Sequence, residues 1–205
     1  MNVFFDMDGT LIDSANAITC AVNEIRSKLN LSPLSREDIL RHINTPGTNG
    51  AKELYGVEDW DLQGFKDGFE RYFLKHYEKS VVLFDGVLEI LDFLKKQGCY
   101  LAIATNAPQN SLVTILKRQN ILHYFDKILG VSAGVEPKPS PMMLKLLKDE
   151  SPHPQSIFIG DSQKDREAAK GAALPYYHAR WYAKNLAPDE FSSAQECIAL
   201  LKKHL

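Results

Sequence analysis

The sequence is poor in the features that tie a chain to an oxidising compartment, a membrane or a polyanion. It has three cysteines in 205 residues, Cys20, Cys99 and Cys197, far apart and without a C-x-x-C pair. That argues against a disulfide framework or a cysteine-based zinc site and fits a reducing cytoplasm. No apolar run approaches the roughly 18 residues of a membrane span. The opening residues MNVFFDMD carry no basic segment, so no secretory signal is expected. Charge of one sign is also lacking: 24 Lys and Arg face 26 Asp and Glu, a formal net charge of −2. Attachment to nucleic acid or a membrane surface mainly through charge is therefore not expected. Internal repeats and low-complexity segments are absent. What is there is a globular composition, 44% hydrophobic and 24% charged, in a length that suits one ordinary domain with a small appendage. The expectation is a soluble cytoplasmic protein, monomer or homodimer, with neither nucleic acid nor membrane as partner.

Two textures divide the chain. From Lys96 onward, short apolar runs at residues 100–104, 127–129, 156–159 and 175–178 alternate with helical patterns at 111–119, 141–148, 164–169 and 193–203. Strands separated by such helices pair in parallel through right-handed crossovers, which predicts an α/β fold with a Rossmann-like parallel sheet. Residues 2–5, NVFF, add a buried strand. Between residues 14 and 82 the strand signal disappears. Apolar residues fall at helical spacing at Ala17, Cys20, Ala21, Ile25 and Leu29, and again at Leu62, Phe65, Phe69, Tyr72, Phe73 and Tyr77. Ser35 and Asp38 form a capping-box pattern opening a helix at 36–42, and a fourth helix is expected at 51–55. The predicted organisation is a discontinuous α/β core, 1–13 and 83–205, with a small helical domain, 14–82, inserted after the first strand.

Four constellations carry chemistry. Asp6-Met7-Asp8-Gly9-Thr10-Leu11 follows the first strand directly. Carboxylates at i and i+2 on extended chain point to one side, at the strand end where open α/β sheets bind ligands, and two such charges together call for a cation or a shared proton. Gly160-Asp161-Ser162-Gln163-Lys164-Asp165 follows another strand; Ser162 and Asp165 also fit a helix start, so Asp165 has a capping reading beside a metal one. Thr105-Asn106 closes the 100–104 strand, either as a plain turn or as a cradle for phosphate oxygens. Lys138 stands in Glu136-Pro137-Lys138-Pro139, whose prolines stiffen its mount. Each alone has an ordinary structural reading. Together, each at or just beyond a strand end, they point to one site.

In these motifs and their order the sequence resembles the haloacid dehalogenase superfamily of phosphohydrolases, over essentially the whole chain. The insertion after the first motif is similar to the mobile helical cap of the branch containing phosphoglycolate phosphatase and β-phosphoglucomutase. The resemblance implies that Asp6 attacks a phosphate monoester to form an aspartyl phosphate, and that Asp8 protonates the leaving alkoxide and then activates water. It implies Mg2+, held by the Asp6 carboxylate, the Asp8 backbone carbonyl, Asp161 and Asp165; the lack of a His/Cys cluster agrees with this ion. Thr105, the Asn106 backbone and Lys138 are expected to hold phosphoryl oxygens, and Gly9 and Thr10 to shape the turn and contact phosphate.

Haloacid dehalogenases themselves lack an acid at the Asp8 position, so Asp8 favours alcohol phosphates. β-Phosphoglucomutases commonly carry Val where this chain has Thr10 and a basic cap loop where it has NTPGTNG, residues 44–50, so hydrolysis of a small phosphorylated metabolite is favoured over mutase chemistry. A response-regulator receiver shares an aspartyl phosphate but is shorter, uses its third strand and has no insertion. A catalytically silent binding member would have lost a motif position, and none is lost. Arg41, His42, Thr45 and Gly47 are the candidates for contact with the rest of the substrate, with Lys52 behind them. The segment 178–184, HARWYAK, is more basic and aromatic than the resemblance leads one to expect, and its role is not readable.

Overall fold

The structure, a computed structural model, describes residues 1–57 and 65–205. In chain order it comprises β1 (Asn2–Phe5), β2 (Ile12–Asp13), α1 (Ala15–Lys28), α2 (Arg36–Asn44), α3 (Gly50–Tyr55), α4 (Phe65–Ser80), β3 (Val82–Leu83) and α5 (Val87–Lys96). Then follow β4 (Tyr100–Pro108), α6 (Gln109–Arg118), β5 (Lys127–Val131), α7 (Met142–Glu150), β6 (Ser156–Gly160), α8 (Gln163–Gly171), β7 (Tyr176–Ala179), β8 (Glu190–Phe191) and α9 (Ala194–Leu201). The chain forms two compact units, one of Met1–Ile12 with Leu83–Leu205, the other of Asp13–Val82.

The first unit is an α/β fold. Six strands form one parallel sheet in the order β5-β4-β1-β6-β7-β8. Its central strands read as continuous apolar runs because both faces are covered. Phe4, Ala102, Ala104 and Phe158 point to one face, where Met143, Leu144 and Leu147 of α7 and Ala168 and Ala169 of α8 close over them. The alternate residues Val3, Phe5, Leu101, Ile103, Ile157 and Ile159 are equally buried on the other face. Helix α5 is an element the sequence pattern missed, although Val87, Ile90, Leu91 and Leu94 are buried at helical spacing; its short length after a turn at residues 84–86 masked the period. Strands β2, β3 and β8 are two residues each, too short to leave a periodic signal.

The second unit is helical. Ala21, Val22 and Ile25 of α1, Ile39 of α2, Leu54 and Tyr55 of α3 and Tyr72 of α4 make its core. Val22, not Cys20 or Leu29, completes the buried face of α1; Leu29 is 37% exposed. Ser35 caps α2 by accepting from the Asp38 amide at 3.1 Å. The Glu24 carboxylate receives Lys75 Nζ at 2.9 Å and lies 2.7 Å from His76 Nε2, joining α1 to α4. Asn23 grips the loop after α1: Leu34 N donates to Asn23 Oδ1 at 2.9 Å and Asn23 Nδ2 donates to Leu34 O at 3.0 Å. Of the residues placed at helical spacing between Leu62 and Tyr77 from sequence, Leu62 and the side chains of Phe65 and Phe69 lie outside the described set.

Candidate active site

The sheet register brings the motifs together. Phe5 stands opposite Ile103 of β4 and Ile159 of β6, so each strand's next residues, Asp6, Ala104 with Thr105, and Gly160 with Asp161, emerge side by side at the C-terminal edge. Strand β4 continues past its predicted end, with a register shift between Ala104 and Pro108. Such an irregularity re-aims side chains beside a site, and here it falls on Thr105. The Thr105 side chain is buried, and its Oγ1 accepts from the Ala107 amide at 3.2 Å.

Lys138 organises the cluster. Its Nζ donates to Asp6 Oδ1 at 2.6 Å and to Asp165 Oδ1 at 2.5 Å, and all three residues are buried. The ammonium is the compensation that lets two carboxylates leave water; removing one partner of such a group strands the others. Burial alone would pull the lysine down, but Asp165 and Asp6 outweigh it and hold its ammonium above the ordinary lysine value. Burial pushes Asp6 up to about 7 against the pull of Lys138, with Asp165 and Asp8 adding repulsion. Burial, then Asp6 and Asp165, raise Asp161 well above the usual carboxylate range. Asp6, Asp161 and Asp165 each offer an oxygen within 4.8 Å of the others.

The loops that carry these acids leave no spare room. Gly9 has φ +85°, and a Cβ there would meet Asp161 Oδ2 at 2.1 Å; at Gly160 a Cβ would meet the Asp165 side chain at 2.6 Å. Glycine is required at both places by contact, and at Gly9 by conformation as well. The Met7–Ile12 turn is closed by Gly9 N to Ile12 O at 2.8 Å and Leu11 N to Met7 O at 2.9 Å. It carries Asp8, which bridges to Ile12, and turns the Thr10 hydroxyl toward Asp6 Oδ2 at 3.4 Å. Asp165 has both its readings at once: with Ser162 it forms the capping box of α8, and it also takes Lys138.

Asn106 adds what the sequence did not disclose. Lys138 N donates to Asn106 Oδ1 at 2.7 Å and Asn106 Nδ2 donates to Lys138 O at 2.9 Å. The side chain is thus occupied in fixing the lysine's backbone. Trp181 and Tyr176 also reach the acid loops, through Thr10 O at 2.9 Å and Ser162 O at 3.3 Å; the aromatic richness of 178–184 was the signal for the first. The candidates Arg41, His42, Thr45 and Gly47 lie in the helical unit. Arg41 pairs with Asp38 at 2.5 Å, His42 Nδ1 is 3.8 Å from Glu53, Thr45 caps α2 with its hydroxyl on Arg41 O, and Gly47 has φ +74°.

Sheet and cluster together define the class: an α/β enzyme whose site is built of buried acids around one lysine. Comparison with known proteins makes this specific. The family described as haloacid dehalogenase-like hydrolase matches residues 3–179, and the chain belongs to that family. A phosphoglycolate phosphatase of Rhodobacter capsulatus is 29% identical over 85% of this chain and 81% of its own. One from Aquifex aeolicus is 32% identical over 99% and 97%, and one from Pseudomonas fluorescens Pf-5 is 32% identical over 84% of this chain, which spans only 66% of that relative. Among solved structures, a predicted phosphoglycolate phosphatase from Haemophilus somnus superposes with a TM-score of 0.80 at 25% identity, covering 98% and 97% of the two chains. A structure presented as a β-phosphoglucomutase from Thermotoga maritima shares the fold, with a TM-score of 0.74 at 24% identity and full coverage of both chains. Within its family the chain is an enzyme of the phosphatase type. No helix among the described residues is long and apolar enough to cross a membrane.

Proposed function

We propose that the protein hydrolyses a small phosphate monoester, phosphoglycolate or a sugar phosphate, through an aspartyl phosphate on Asp6. The observation that carries this reading is the buried Lys138 ammonium within 2.6 Å of Asp6 and 2.5 Å of Asp165. That arrangement holds a carboxylate nucleophile in place and concentrates positive charge where phosphoryl oxygens arrive. An Asp6 oxygen attacks phosphorus as the ester P–O bond breaks, and Asp8 gives its proton to the departing alkoxide. Asp8, then a carboxylate, takes a proton from water, which attacks the aspartyl phosphate, releases inorganic phosphate and restores Asp6. Thr105, the Asn106 main chain and Lys138 bind the phosphoryl oxygens; Gly9 and Thr10 present the turn's backbone and hydroxyl to them.

The residues fit Mg2+: oxygen donors from Asp6, Asp161 and Asp165 converge within 4.8 Å, with no sulfur or imidazole among them, and these three with the Asp8 carbonyl would hold the ion. Bound there, the ion offsets the charge of the acids and of the phosphoryl group. Residues 14–82 act as a cap that selects the substrate, through Arg41, His42, Thr45 and Gly47. The names of the curated relatives support phosphoglycolate as the first substrate to try.

The test is phosphate release with Mg2+ from a panel headed by phosphoglycolate and sugar phosphates, run beside Asp6→Asn. Turnover by wild type and none by the variant is expected; an intact panel, or equal rates, overturns the reading. Adding a glucose bisphosphate with β-glucose 1-phosphate separates mutase chemistry, which would yield isomerised sugar in place of free phosphate.

A further inference from the structure

Two successive carbonyls of the Met7–Ile12 turn, those of Thr10 and Leu11, are gripped by residues from elsewhere in the chain. The Trp181 indole Nε1 donates to Thr10 O at 2.9 Å, and the Phe84 amide donates to Leu11 O at 3.1 Å. The two gripping residues are themselves stacked, ring centroids 5.1 Å apart and planes 11° from parallel. Phe191 also meets the indole, with ring centroids 5.4 Å apart and planes 89° from parallel. The turn carrying Trp181 is anchored through Arg180 N to Phe191 O at 2.8 Å and Ala183 N to Arg180 O at 2.9 Å. Its next residue, Tyr182, has φ +66°, a left-handed backbone that is costly for a bulky side chain. Strain of this kind persists where the surroundings impose it, and it gathers at functional sites.

Packing alone does not account for a tryptophan here, since a phenylalanine ring also stacks between two phenyl groups. What only the indole adds is a donor that cannot act as an acceptor, aimed at the residue whose hydroxyl stands 3.4 Å from Asp6 Oδ2.

We propose that Trp181 is a positioning residue for the reaction: its N–H fixes the Thr10 carbonyl and so holds the turn that presents Asp8 and orients Asp6. The inference rests on the phosphatase reading above. It assigns a role to the 178–184 segment, whose composition stood apart from the rest of the core.

Two replacements isolate the N–H. Trp181→Phe keeps a ring between Phe84 and Phe191; benzothienylalanine at position 181 keeps the bicyclic shape and loses only the N–H, and serves if the first variant folds poorly. With the isostere, amide hydrogen exchange at Gly9, Leu11 and Ile12 is expected to speed up about fivefold, the equivalent of one hydrogen bond. kcat on the best phosphate ester is expected to fall by about the same factor, with KM unchanged and the unfolding temperature lowered by no more than about 2–4 °C. Wild-type exchange, or faster exchange with wild-type kcat, overturns the proposal, as does lower kcat with unaltered exchange. If wild type itself releases no phosphate from the panel, the functional reading has failed instead, and the exchange measurement still decides whether the indole holds the turn.

Discussion

One device occurs in both units. Asn23 in the helical unit and Asn106 in the α/β unit each use both amide groups to grip the backbone N–H and C=O of a distant residue, Leu34 and Lys138 respectively. In the helical unit the gripped residue is apolar and the neighbourhood solvated; its charged pairs, such as Glu24 with Lys75, are partly exposed. In the α/β unit the gripped residue is a buried lysine holding two buried carboxylates. The same two hydrogen bonds therefore serve a loop in one place and a buried charge cluster in the other. What differs is not the bond but the cost of misplacing what it holds. A displaced Leu34 repacks, whereas a displaced Lys138 leaves two buried carboxylates without their counter-charge.

The comparison is sharpest at the lysine itself. Lys138→Met should lower stability by about 3–5 kcal/mol in urea unfolding with chelator present, because Asp6 and Asp165 lose their buried counter-charge, and should abolish turnover. A variant of near wild-type stability would show that the acids do not depend on it. Asn106→Ala should cost about 1–3 kcal/mol and also lower kcat about tenfold, read by steady-state kinetics on the best ester. Asn23→Ala should cost a similar 1–3 kcal/mol with kcat unchanged; an equal loss of kcat in the two asparagine variants would break the distinction. Glu24→Gln, which weakens partly exposed contacts to Lys75 and His76, should cost no more than about 1 kcal/mol in the same unfolding measurement.

The smallest effect concerns pH at the edge of the α/β unit. Burial, with help from Arg166, holds the His178 ring below its ordinary value, while its Nδ1 lies 2.8 Å from the Tyr176 hydroxyl. The unfolded chain therefore takes up the proton at this ring first as pH falls, so the His178 contribution to stability declines as pH drops through about 6.5, the unfolded-chain value. The raised Asp6 and Asp161 work in the opposite sense over that window, so the test is the difference: in urea unfolding His178→Gln should lose less stability on acidification than wild type.

The α/β half was legible because its elements obey short-range rules. Residues 2–5 and 156–159 are apolar on both faces and end abruptly in acids, and burial with paired charge is a pattern that few folds produce by accident. The site acids were readable as types for the same reason, and the sheet register then brings Asp6 beside Asp161. The roles of Asn106 and Trp181 were not legible. Each depends on a bond to a residue 32 or 171 positions away, and no local period records that. Helix α5 went unread because ten residues beside a turn give too few repeats, and Cys20 was misassigned to the buried face of α1 because residue spacing alone cannot tell which side of a helical stripe its neighbours will cover.

The placement of β1 also sets an order of assembly. It precedes every other strand described, yet it lies inside the sheet between β4 and β6. During synthesis the NVFF segment has no partner until Tyr100–Pro108 has emerged and is enclosed on both sides only after Ser156–Gly160 follows. The helical unit, contiguous from Asp13 to Val82, has all its parts long before that. A ribosome therefore completes the helical segment before the last two acids of the cluster, Asp161 and Asp165, are made, so no partly made chain can possess the complete cluster.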